Sequence, residues 1–106
     1  MDERIYLSHC DTIKNFVKNL GIDSTDDYLQ QELSSLMKDV VFLREKIDGM
    51  RKLMEKSTNY DEMLHLQYDI DDAQCLLDNL LQKLKTADER YICFKQYIAK
   101  IKSGLV

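Results

Sequence analysis

Proline and tryptophan are absent from this 106-residue chain, and glycine occurs only three times. Turn-dense β-sandwiches, collagen-like segments and proline-rich linkers all need residues that are missing here. No stretch approaches the roughly 18 consecutive apolar residues of a membrane-spanning helix. The longest apolar run in the middle of the chain is Val40-Val41-Phe42-Leu43. Met1-Asp2-Glu3-Arg4-Ile5 has no basic segment leading into an apolar one, so no secretory signal is read there. Cysteine is sparse and odd in number, with Cys10, Cys75 and Cys93 far apart. That pattern suits reduced thiols in an intracellular reducing compartment, cytoplasmic or nuclear, better than a disulfide framework. Charge of one sign does not dominate either: 19 acids against 15 bases leave a net charge of -4. A mildly acidic chain is a poor match over its whole surface for nucleic acid or anionic lipid.

What the sequence does contain is helical periodicity. Hydrophobic residues make up 44 % and charged residues 32 %, a globular balance. Tyr6, Cys10, Ile13, Val17 and Leu20 alternate four and three apart, which predicts a one-faced helix over 3–20. Gly21 stops it, with Ile22 available for the apolar contact that often follows a glycine C-cap. Ser24 or Thr25 then supplies a cap for a second helix over 25–56. Its seam is Leu29, Leu33, Leu36, Val40, Leu43, Ile47, Met50 and Met54, a heptad pattern without an error. Ser57-Thr58-Asn59 is a short break, and Asn59 with Glu62 reads as a reciprocal capping box. So short a loop forces an antiparallel hairpin.

The third helix is predicted over 60–102. Its seam runs Met63, Leu66, Ile70, Ala73, Leu77, Leu80, Leu84, Ala87, Tyr91, Phe94, Ile98, Ile101 and Leu105. Thr86-Ala87-Asp88-Glu89 also reads as a capping box, which would start a fourth helix near 85–87. The seam crosses that point in phase, which favours one long helix. The expected fold is therefore all-α, a single antiparallel bundle of three helices, with four as the alternative.

Matching helix lengths leaves apolar surface uncovered. Helix 1 folded back on helix 2 reaches only to about Val41, so the hairpin from Leu43 to Leu77 is expected to stand as a bare pair. Beyond Tyr91, helix 3 is expected to overhang with Phe94, Ile98 and Ile101. Six acids and no Lys or Arg fall between Ser57 and Asn79, opposite Arg44, Lys46, Arg51, Lys52 and Lys56 of helix 2. Antiparallel pairing would set these charges across the flanks and select register.

Candidate chemistry is thin. His9 and Cys10 are adjacent and diverge by about 100° on a helix, no metal-ligand spacing such as CxxC or HxxxH occurs, and His65 lies off the seam. No cofactor or metal is expected. Cys75 and Cys93 fall at outward heptad positions. Arg90, Lys95, Lys100 and Lys102 with Tyr91, Phe94 and Tyr97 form a basic, aromatic C-terminal stretch, but Tyr91 and Phe94 are already seam residues.

Two family resemblances are local. Leu43-Arg44-Glu45-Lys46-Ile47 followed by Glu62-Met63-Leu64-His65-Leu66-Gln67-Tyr68-Asp69-Ile70-Asp71 resembles the helical-hairpin phosphatases of sporulating bacteria, which dephosphorylate aspartyl-phosphorylated response regulators. Their Ser-Gln-Glu-Leu-Asp motif stands here as Gln67-Tyr68-Asp69-Ile70-Asp71, matching at Asp71 and in the apolar Ile70. The resemblance implies a regulator acting on a phosphoprotein through Asp71. Lys46-Ile47, Met50-Arg51 and Ile70-Asp71-Asp72 are similar to stretches of the tubulin-binding cofactor A chaperones, though the spacing between the pieces differs. The reading that fits the whole chain is a non-enzymatic protein-interaction module: an oligomerising adaptor, an assembly subunit or a small helical chaperone. Its partner would be protein, in a homo-oligomer or a hetero-complex. The candidate interface is Val41 and Phe42 in mid-helix 2, Met54 and Met63 near the hairpin tip, and Phe94, Ile98 and Ile101 on the overhang.

Overall fold

The computed structural model describes residues 3–104. Leu105, the last seam position, lies outside them. The described residues form three helices and no strand: α1 (Glu3–Leu20), α2 (Ile22–Lys56) and α3 (Tyr60–Lys102). The antiparallel three-helix architecture read from periodicity is the one observed. α3 runs through Thr86 without a break, so the four-helix alternative is set aside. An apolar seam continuing in phase outweighs a local capping motif, because ending the helix would uncover the side chains beyond it.

The two joints are built differently. Gly21 alone separates α1 from α2, in the left-handed conformation at φ 83°. Its amide donates to Val17 O at 2.9 Å, closing α1, and its carbonyl accepts from the Thr25 amide at 3.1 Å, opening α2. α2 therefore starts at Ile22, three residues before the expected Thr25. Thr25 is not the cap. It lies one turn inside, fully buried, and its hydroxyl donates to Gly21 O at 2.7 Å. At the second joint Asn59 caps α3 as expected, with Oδ1 accepting from the amides of Asp61 (2.9 Å) and Glu62 (3.2 Å). The reciprocal half differs: the Asn59 amide donates to Ser57 Oγ at 3.3 Å.

The chain divides into two compact units. The first takes in the chain up to Ser34 and from Leu84 onward, so it holds α1, the start of α2 and the end of α3. Its core is Ile13, Leu29, Cys93 and Phe94, with Tyr6, Val17, Tyr91, Tyr97 and Ile98 packed against it. The second unit, Ser35–Lys83, is an antiparallel helical pair. Val40, Leu43 and Ile47 of α2 and Ile70, Ala73 and Leu77 of α3 are buried there, all of them seam residues. Each fully buried aliphatic side chain contributes about 1.5–3 kcal/mol relative to exposure.

Three seam expectations change. Leu20 is 48 % exposed, while His9, which is not on the predicted stripe, is buried. Phe94 does not overhang; it is 2 % exposed, in the core with Ile13 of α1. Tyr91 meets Asp26 near the start of α2, and α2 begins earlier than expected while α1 covers the part of α3 beyond Tyr91. For the same reason Cys93 is buried rather than outward. Within the second unit no Lys or Arg ion pair bridges α2 and α3 among the described residues. Two of its acids are held along their own helix, Asp71 by Gln67 (2.9 Å) and Asp78 by Gln74 (3.1 Å).

Candidate interaction surfaces

Several polar groups of the first unit are paired between helices. His9 Nε2 meets Glu89 Oε2 at 3.1 Å, joining α1 to α3 beneath the surface. Tyr91 donates its hydroxyl to Asp26 Oδ1 at 3.0 Å and accepts from Gln30 Nε2 at 3.2 Å, while Gln30 also donates to Asp26 Oδ1 at 3.1 Å. The Gln30 amide, against some opposing desolvation, holds the Asp26 carboxyl below its ordinary range, with Tyr91 and the charge of Lys95 acting in the same sense. Lys95 Nζ sits 5.2 Å from the centre of the Tyr91 ring, and that ring stacks with Phe94 at 6.1 Å. Phe16 and Tyr28 pack across the α1–α2 joint at 5.3 Å. The aromatic members of the basic C-terminal stretch are thus engaged with the protein itself, and the bases carry no free stacking platform at Tyr91 or Phe94.

The second unit presents a different surface. Val41 and Phe42 are 52 % and 66 % exposed on α2, and Leu76 is 57 % exposed on α3. Successive helix positions diverge by about 100°, so Val41 and Phe42 point to different sides of α2. Phe42 and Leu76 line one shallow groove of about 320 Å³ together with Leu43 and Leu80. Asp39, Asn79 and Lys83 edge it, so its rim carries one charge of each sign. Neither Asp39 nor Lys83 has an ion-pair partner among the described residues.

The other candidates are dispersed. Met54 is half-buried and Met63 is 37 % exposed near the hairpin joint. Ile98 packs against the first unit's core, and Ile101 is 37 % exposed. Asp71 is exposed, and its carboxylate accepts from Gln67 on the same helix. Leu76 was missed because an isolated outward leucine in a heptad sequence gives no signal; only the groove that it shares with Phe42 marks it. No three His, Cys, Asp or Glu side chains converge in a metal-holding group among the described residues. No helix among them is long and apolar enough to cross a membrane. No protein-family model, curated protein or solved structure matches the chain.

Proposed function

We propose that this chain is a non-enzymatic protein-binding module, an assembly subunit that pairs with a second copy of itself through the groove of its two-helix unit. The observation that carries this is the exposed Phe42–Leu76 pair flanking a groove whose rim holds Asp39 and Lys83. A two-fold interface apposes one patch to itself, so residue i meets j and j meets i. A patch with an apolar centre and one unpaired charge of each sign is complementary to its own copy. Asp39 of one subunit would face Lys83 of the other, twice, around an aromatic anchor of the kind that dominates interface energies. An adaptor or a helical chaperone would use the same surface on a different protein.

The test is absolute mass by light scattering on a sizing column over a concentration series. The expected mass is about 25 kDa, twice the 12.5 kDa of one chain. Phe42→Asp should return the mass to that of one chain with the helical circular-dichroism spectrum unchanged, because Phe42 is exposed. Asp39→Lys should weaken pairing and the double swap with Lys83→Asp should restore it. A wild-type monomer at high micromolar concentration, or a Phe42→Asp protein that keeps its doubled mass, would overturn the reading.

A further inference from the structure

The first unit contains a second groove, of about 330 Å³, between α1 and α3. Tyr6, Cys10 and Lys14 line it from α1, and Cys93, Tyr97 and Lys100 from α3. Two of the chain's three cysteines, 83 positions apart in sequence, line one solvent-reached cleft, Cys10 from α1 and Cys93 from α3, and Cys10 is among the neighbours that perturb the Cys93 thiol. Cys75 stands apart, exposed in the other unit. We infer that Cys10 and Cys93 are a paired redox site that closes to an intrachain disulfide when a hydroperoxide enters the groove.

The two thiols differ in the way such a pair requires. Cys10 is half-buried and reachable from the groove, with Lys14 one turn along the same helix and Lys100 across the cleft. The cleft thus sets two ammonium groups beside the sulfur that an incoming peroxide can reach. Cys93 is buried, and its thiol is pushed above the usual cysteine range, first by burial and then by its neighbours Cys10 and Glu89. Burial shields it from direct oxidation until Cys10 has reacted.

In the first step the Cys10 sulfur, its proton lost, attacks the terminal oxygen of the hydroperoxide. The O–O bond breaks, an alcohol (water, for hydrogen peroxide) leaves carrying a proton, and Cys10 becomes a sulfenic acid. In the second step the Cys93 sulfur gives up its proton and attacks the Cys10 sulfur, expelling water. Two thiols have lost two electrons in all, and the peroxide bond has taken them. The product would tie α1 to α3 within this unit, and a thiol reductant would reverse it.

The experiment uses the full chain carrying Cys75→Ser, so that the exposed thiol cannot link copies. It is treated with an equivalent of hydrogen peroxide and mapped by non-reducing mass spectrometry. The expected result is a loss of about 2 Da, a single linked peptide pair containing Cys10 and Cys93, and full reversal by dithiothreitol. The thermal midpoint should rise in the oxidised form, because the crosslink restricts the unfolded chain. In a Cys10→Ser variant on the same background, Cys93 should remain a free thiol after the same treatment. The inference fails if Cys10 proceeds to the sulfinic acid with Cys93 unmodified, if both thiols survive, or if links form between chains. It fails equally if Cys93 oxidises as readily without Cys10 as with it.

Discussion

Replacing glycine by alanine should have opposite effects at two positions of this chain. At Gly21 and at Gly49 a new Cβ would meet nothing within 4 Å, so neither change is decided by a clash. Gly49 lies inside α2 with an ordinary helical backbone. Alanine there removes unfolded-state freedom and adds helix propensity, a gain of about 0.5–1 kcal/mol. Gly21 sits at φ 83°. An L side chain in that conformation costs roughly 1–2 kcal/mol, offset in part by the ~0.4–1 kcal/mol that alanine gains from a stiffer unfolded chain. The net is a loss of about 0.5–1 kcal/mol at Gly21 against a similar gain at Gly49. For a chain of this size the two variants' thermal midpoints should separate by on the order of 5–10 °C, with wild type between them. The assay is thermal unfolding followed by circular dichroism at one fixed protein concentration, because self-association would make the midpoint concentration-dependent. Gly21→Asn should fall closer to wild type than Gly21→Ala, since asparagine tolerates the left-handed region. A Gly21→Ala protein as stable as wild type would refute the account of the α1–α2 joint, and a destabilised Gly49→Ala protein would refute that of α2.

Phe94→Ala should cost about 3–5 kcal/mol, a large share of a small domain's stability, while Phe42→Ala should leave the unfolding of the isolated chain within ~0.5 kcal/mol. Urea titration of the two variants checks this; equal losses would show that Phe94 is not the core residue described here. It follows that aspartate at Phe94 would unfold the chain rather than merely separate copies. The depressed Asp26 carboxyl predicts an acid-side effect. Its folded value lies below its ordinary value of 3.8, so its stabilisation is present above that value and is lost as pH falls through the folded one. Asp26→Asn should therefore flatten the fall of unfolding midpoint below about pH 4, and an unchanged acid limb would dismiss the Gln30–Asp26–Tyr91 network as a source of stability.

Periodicity carried most of the fold. The α2 seam follows from spacing, because a helix that buries one stripe must repeat apolar residues near every 3.6 positions, and the end of α1 and the start of α3 follow from Gly21 and Asn59. What it could not carry were contacts between elements far apart in sequence. His9 is buried because Glu89, 80 positions later, accepts it, and no local pattern announces that partner. Cys93 and Phe94 occupy neighbouring positions that a two-helix seam cannot both bury; a third helix is needed, and α1 supplies it. The α2 start was misplaced because Ser24 and Thr25 are good caps in isolation, while Gly21 serves both helices at once. Of the candidate surface, Phe42 was legible as an aromatic off the seam. Its companion Leu76 and the charged rim required the pairing register in three dimensions.

The joint at Gly21 has no slack. Adding or deleting one residue there would turn α1 by about 100° and slide it by about 1.5 Å relative to α2. His9 would swing away from Glu89 and Cys10 away from Cys93 in the same motion, because both sit on the one rigid rod. The joint at 57–59 can absorb a change of length by re-spacing its loop; this one transmits it whole. Chain length at position 21 is therefore a phase setting for the first unit, and a related sequence with an insertion there would need a different α1 face to build the same core.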